Sequence, residues 1–231
     1  MGLVILPDGR YNEKNDIRRM HREERYMRIL VTGFTPFGGE TINPSWEAVR
    51  RLPDDIGDAV LIKREIPTEF RASCAVLHAL LAELQPDAVL CVGQYGGASS
   101  IRVERVAVNL RDARIADNAG EKPEDEPVVP GGPDAYFATI PTRRIVDALR
   151  GQGIPAQLSY SAGTFVCNNL LYAALHESTQ SYGAARCGFV HVPYLPEQAK
   201  DGSAPSMSLE LMLRALHIAV EAIAEKGEAV N

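Results

Sequence analysis

A chain of 231 residues, 45% of them hydrophobic, is long enough to bury one substantial core, and α/β units of this size commonly fold as a single domain. Its 24 Lys and Arg against 30 Asp and Glu leave a net charge of −6 and a pI near 5.4, a balance that disfavours nucleic acid or an anionic membrane surface and suits a small or peptide-like ligand. No run approaches the roughly 18 apolar residues that cross a bilayer, Leu3-Val4-Ile5-Leu6 is too short for a signal-peptide core, and Cys74, Cys91, Cys167 and Cys187 are scattered without C-x-x-C pairing, as in a protein of the reducing cytoplasm.

Met1 to Tyr26 mixes Arg10, Lys14, Arg18, Arg19, Arg22 and Arg25 with Asp8, Glu13, Asp16, Glu23 and Glu24 and has little apolar periodicity. Residues 1–26 are expected to be a charged extension, disordered or arising from an early start codon, since Met20 or Met27 would begin the folded part equally well.

From Ile29 the signals alternate. Ile29 to Gly33 reads as a buried strand, and Asn43-Pro44 as an N-cap followed by Pro at the first helical position, opening a helix through Leu52. A strand near Ala59 to Ile66 precedes a helix over Glu69 to Leu84, with Thr68 as its cap and Phe70, Cys74, Leu77, Leu81 and Leu84 on one face. Ala88 to Val92 returns as an apolar strand. Helices over Thr142 to Arg150, Val166 to His176 and Ser208 to Glu225 alternate with strands at Ala156 to Ser159 and Gly188 to His191. This grammar predicts an α/β single domain: a twisted, mostly parallel sheet with helices on both faces.

One stretch departs from it. Ile101 to Leu110 alternates with period two, which places Glu104 on one face with Val106, Val108 and Leu110, so that the carboxylate must be paired or perturbed. Arg111 to Gly132 follows as a long acidic loop, the kind that is either disordered or a wall or lid for a site.

The most informative segment is Ser159 to Asn169, which sets Cys167 in the turn between a strand and a helix. Unpaired N–H groups and the positive end of the helix dipole favour thiolate there, so a lowered thiol pKa is expected, and the same donors suit an oxyanion. An inert buried cysteine is the other reading, as for Cys74 and Cys91, while Cys187 is ambiguous. His191 sits where Pro193 ends a strand, the end at which open α/β sheets bind ligands, with a satisfied core histidine as the alternative. His78, His176 and His217 fall in helix patterns and His21 in the extension; no cluster has metal-ligand spacing, so neither metal nor cofactor is expected. Gly33 to Gly39 follows a strand but lacks G-x-G-x-x-G and Gly-Lys-Ser/Thr; Phe34 and Phe37 suit an apolar pocket or a plug over the sheet edge. Gly93 to Gly97 is either a pocket wall offering Gln94 or a plain glycine turn. A thiol at a helix start, a histidine at a strand end and an inward acid together have the composition of a nucleophile, a base and its orienting carboxylate.

Gly33 to Trp46, Gly93 to Asn109 with Val103-Glu104-Arg105-Val106-Ala107-Val108-Asn109, Ser159 to Asn168 and Gly188 to Gln198 together resemble the pyrrolidone carboxyl peptidase (pyroglutamyl-peptidase I) family of cysteine peptidases. The resemblance runs from about Met27 to the last helix, making 27–231 the catalytic domain. It implies removal of N-terminal pyroglutamate from peptides, with Cys167 as nucleophile, His191 as general base and acid, and Glu104 as third member. It also implies that Phe34 and Phe37 flank the lactam, that Gln94, Phe165 and Val166 complete the pocket, and that Asn43, Arg114 and Asp117 stand behind it or on the oxyanion side. A homotetramer is implied as well. One position departs: the family usually has Ser or Thr two residues before the acid, where this chain has Arg102, which on strand alternation shares Glu104's face. Alternatives are a catalytically impaired binding protein for pyroglutamyl peptides, or a thiol amidase acting on another small lactam or amide.

Overall fold

The computed structural model describes residues 26–180, 185–199, 202 and 204–225. The expected extension, apart from Tyr26, and His21 within it lie outside the described residues. A seven-stranded sheet runs in the order β2-β3-β1-β4-β9-β5-β8, from β1 (Met27–Phe34), β2 (Asp55–Ile56), β3 (Ala59–Ile66), β4 (Ala88–Gln94), β5 (Ile101–Glu104), β8 (Ala156–Ser159) and β9 (Arg186–Val192). β6 (Val106–Val108) and β7 (Ala135–Phe137) form a separate two-stranded sheet. The β3-β1-β4-β9 block is parallel, as is β5 with β8, but β2 meets β3 and β5 meets β9 in antiparallel register.

Strand alternation assigns the two faces. Ile29 and Val31 of β1, Leu90 and Val92 of β4 and Val190 and Val192 of β9 pack beneath α1 (Pro44–Val49), α3 (Thr142–Gly151) and α5 (Leu209–Ala224). Leu30 and Phe34, Val89 and Cys91, and Cys187 and Phe189 pack beneath α2 (Phe70–Leu84) and α4 (Val166–Gln180). Because both faces are covered, these strands read as continuous apolar runs. The same parity decides the chemistry: His191 must share the α2/α4 face with Phe189, and Arg102 and Glu104 must lie opposite Ile101 and Val103, on that face too.

Several expectations are corrected. The period-two stretch is not one strand. It breaks at Arg105, whose N–H donates to Ser159 O at 2.7 Å while its carbonyl accepts from Ala138 N, and the chain then leaves the main sheet to pair with β7. Beyond the break the phase reverses: Ala107 is buried and Val106, Val108 and Leu110 are only half-buried, while Glu104 is fully buried. Helix α1 ends at Val49 rather than Leu52, and α4 runs on to Gln180. Thr68 does not cap α2, because its hydroxyl donates to Thr35 O at 2.7 Å; the Phe70 N–H is instead taken by Asp117 Oδ2 at 2.8 Å, a cap supplied from a remote loop. Asn43 does cap α1, accepting from Ser45 N, and Ser208 caps α5.

Candidate active site

Cys167 is the second residue of α4, and the two residues after it pin that first turn. Asn168 receives Val108 N–H and donates to the carbonyls of Val108 and Leu110, while Asn169 donates to Phe70 O at 2.8 Å and Cys74 Sγ at 3.0 Å. The helix start is thus bolted to β6 and to α2, which fixes where the thiol points. The first N–H groups of α4 have no intrahelical acceptor and face the same end.

The thiol's environment overturns one expectation. Burial pushes the Cys167 thiol well above the ordinary thiol range, and the Glu104 carboxylate and Cys91 add in the same direction; only the residue's own backbone N–H pulls the other way. Desolvation of a thiolate is the largest of these effects, and it favours the neutral thiol at rest.

His191 is buried near the top of β9, its ring 4.6 Å from that of Phe189 and 5.4 Å edge-on from Tyr95. Its Nδ1 lies 2.8 Å from Glu104 Oε1. In the antiparallel β5–β9 register Arg102 is directly opposite His191 and Glu104 opposite Phe189, so the carboxylate reaches the imidazole along the strand diagonal. With Nδ1 engaged, Nε2 is the ring nitrogen left for another partner.

Cys167 and His191 line one cavity of about 430 Å³. Phe34, Phe37, Asn43, Gln94, Arg114 and Phe165 line it as well, so the structure brings most of the sequence-predicted residues together. Phe37 faces Phe165 at 6.2 Å between ring centroids, and Phe165 meets Phe70 edge-on at 5.2 Å. Gln94 accepts from Gln198 Nε2 at 2.9 Å, and Asn43 donates to Thr35 O at 3.0 Å, so each amide is held in one orientation. Glu104 stands behind His191 rather than on the cavity wall. The Val166 side chain is fully buried in the α2/α4 core and does not line the cavity. Asp117 is likewise away from the wall: besides capping α2 it accepts from Ala119 N and Glu121 N, organising the long loop.

That loop forms one wall through Asp112, Arg114 and Ile115. It is tied on both sides, by Asp112 with Thr164 and by Asn118 with Pro36 O and Thr68 O. Gly93 is a functional position that sequence reading missed. It belongs to β4, opposite His191, and a Cβ there would lie 2.6 Å from Phe189 Cζ and 3.0 Å from Cys167 Sγ. The space a side chain would need is taken by the Phe189 ring and the Cys167 thiol; the sequence reading, which weighed this segment as a pocket wall for Gln94 or a glycine turn, did not single out Gly93 itself, although strand parity from Cys91 marks it. Among the described residues no group of three His, Cys, Asp or Glu is placed to hold a metal ion, and no helix is long and apolar enough to cross a membrane.

Comparison with known proteins places the chain in a family. A family described as pyroglutamyl peptidase matches residues 27–226. The chain is 51% identical over 195 residues to a pyrrolidone-carboxylate peptidase of Thermococcus onnurineus, covering 84% of this chain and 98% of the relative, and 50% identical over 193 residues to that of Bacillus amyloliquefaciens, covering 83% and 90%. The crystal structure of pyroglutamyl peptidase I from Bacillus amyloliquefaciens superposes with a TM-score of 0.84 at 47% identity, over 87% of this chain and all of that one. A mutant pyrrolidone carboxyl peptidase of Pyrococcus furiosus gives 0.84 at 46% identity, over 87% of this chain and 99% of that one. With a matched region that spans every strand and helix of the fold, the chain belongs to the pyroglutamyl peptidase family.

Proposed function

We propose that this protein is a cysteine peptidase that removes an N-terminal pyroglutamyl residue from peptides through a thioester acyl-enzyme. The observation that carries the reading is the 2.8 Å contact of Glu104 with His191 Nδ1, on the wall of a cavity shared with a thiol at a helix start.

The lactam enters between Phe34, Phe37 and Phe165, with Gln94 and Asn43 as its polar partners. Pyroglutamate is neutral and cyclic, so it loses little on entering an aromatic slot, whereas the ammonium of an ordinary N-terminus is desolvated in a cavity whose one lining carboxylate, Asp112, shares its wall with the Arg114 cation. Selectivity comes from that exclusion. Since the resting sulfur is a thiol, its proton passes to His191 Nε2 as Sγ attacks the pyroglutamyl carbonyl carbon. The carbonyl π bond breaks to give an oxyanion, which the free N–H groups at the start of α4 stabilise. Glu104 holds the imidazole in the required tautomer and supports the imidazolium. On collapse the C–N bond breaks, and the leaving peptide amine takes the proton from His191. Water, deprotonated by the same histidine, then attacks the thioester; pyroglutamate leaves and the thiol is restored. Protein groups and water complete every step.

We further propose residues 27–231 as the catalytic domain and a homotetramer working in the cytoplasm. Light scattering on the eluting peak from size exclusion tests the assembly.

The activity test is release of a fluorescent amine from its pyroglutamyl amide, with the alanyl amide as control. Turnover of the first alone is expected. Turnover of both, or of the alanyl amide only, would leave a thiol amidase of other specificity; tight binding without turnover would leave a binding protein.

A further inference from the structure

Arg102 carries a feature that the reaction above does not use. Its guanidinium sits on β5 directly across from His191 and 3.9 Å from Glu104 Oε1, with only about a quarter of its side chain exposed. Two contacts fix it: Nη2 donates to Ser159 Oγ at 2.9 Å, and its Cζ lies 4.3 Å above the centre of the Tyr95 ring, which itself meets His191 edge-on. Two buried polar atoms nearby have no hydrogen-bond partner, Arg102 Nε and Glu104 Oε2. A cation and an anion are therefore held side by side, coupled by charge rather than by a hydrogen bond.

We propose that Arg102 is a positioning residue for the Glu104–His191 pair: the fixed guanidinium keeps Glu104 as a carboxylate aimed at Nδ1 and offsets part of that carboxylate's pull on the imidazolium. This rests on the peptidase reading and deepens it. The other charged or titratable groups that share the cavity with His191 are Cys167 from α4, Tyr95 after β4, and Asp112 and Arg114 from the loop wall, and Cys91 on the neighbouring β4 faces the same side one pair below. Of the charged ones, Arg102 alone is cross-strand to His191 and packed on the aromatic ring that touches it.

The sign follows from charge alone. Removing a fixed positive charge makes protonation of every neighbouring group easier, so both the carboxylate and the imidazole would take up protons at higher pH. In Arg102→Gln the acid limb of the kcat/KM profile should move upward by roughly half a pH unit to one unit, a loss of about three- to tenfold in rate on the acid side. KM measured on the alkaline side of that limb should stay within about twofold, because Arg102 does not line the cavity. Arg102→Lys, which keeps the charge, should return most of the shift.

The experiment is the pH profile of pyroglutamyl-amide turnover for the wild type, Arg102→Gln and Arg102→Lys, paired with an NMR titration of the His191 ring protons in the same proteins. An upward shift in both readouts, reversed by lysine, supports the proposal. A profile and titration unchanged in folded Arg102→Gln, or shifted downward, overturns it. Should the wild type show no turnover, the peptidase reading fails by itself, and the NMR titration still decides whether Arg102 governs the pair.

Discussion

Glu104 and His191 meet at 2.8 Å across an antiparallel strand pair inside a sheet whose central strands are parallel. The reversal at β5 is what makes the contact. A parallel neighbour would present its carboxyl end beside that of β9, whereas β5 descends past His191 and brings its last residue down to the level of Phe189. The acid can then be fully buried and still reach the imidazole from behind, leaving the cavity side of the ring free.

Removing the charge from that acid should therefore cost rate more than binding. Glu104→Gln keeps the side-chain size but supplies no anion to support the imidazolium and can present the wrong group to Nδ1. A fall in kcat of roughly 10²- to 10⁴-fold is expected, with KM changed little. Steady-state kinetics on the pyroglutamyl amide check it; a KM effect alone would assign Glu104 to substrate binding.

Gly93 leaves room that nothing else can provide. In Gly93→Ala the new methyl would sit 2.6 Å from the Phe189 ring and 3.0 Å from Cys167 Sγ, and Phe189 is packed on every side. Overpacking of this kind costs about 1–3 kcal/mol. Because the displaced groups are the nucleophile and the ring under His191, activity should fall far more than stability. Urea unfolding and turnover measured on the same preparation separate the two, and wild-type activity in this variant would remove Gly93 from the account.

Asp117 works at a distance from the chemistry. It accepts from Phe70 N, Ala119 N and Glu121 N, so Asp117→Ala strands a buried helix-start N–H and frees the loop that carries Asp112, Arg114 and Ile115. A loss of about 1–2 kcal/mol is expected, together with a raised KM as the wall loosens. Denaturant titration and a substrate saturation curve test both parts; unchanged stability would mean that water replaces the cap at no cost.

Burial raises the thiols of Cys91 and Cys187 from an ordinary value of 9.0 to about 12. The folded state holds these protons more tightly than the unfolded chain, so their contribution is fully present below about pH 9. As pH rises beyond that, the unfolded chain ionises first, and stability declines until about pH 12, where the folded thiols ionise too. Chemical denaturation across that alkaline range should show the decline, and Cys187→Ala should flatten it. Access, not thiolate content, sets the order of alkylation: Cys167 lines the cavity while Cys91 and Cys187 are fully buried, so a reagent should label Cys167 first even though its own thiol is raised as well.

The periodic parts of the chain declared themselves. Runs such as Ile29 to Gly33 and Ala88 to Val92 are apolar on both faces because helices cover both, and Asn43-Pro44 is a cap whose chemistry is entirely local. Cys167 and His191 stand at element ends, where residue type and position point to chemistry; strand alternation marked Glu104 as an inward acid, and the motif resemblance then joined the three. What stayed hidden depends on partners distant in sequence. The break at Arg105 is set by Ser159 and Ala138, the cap of α2 by Asp117, and the elevated thiol of Cys167 by its burial against the α2/α4 core and by the charge of Glu104. A helix-start rule sees only the local backbone N–H groups and omits desolvation, the largest cause of the raised Cys167 thiol.

The covalent step is the centre of the account, and one acid-quenched reaction tests it most directly. The protein is mixed with pyroglutamyl amide, stopped within the first turnovers, and digested for peptide mass mapping, alongside Cys167→Ala. The account predicts one pyroglutamyl group in thioester linkage on the peptide containing Cys167, and neither adduct nor turnover in the variant. Undiminished turnover by Cys167→Ala would contradict it.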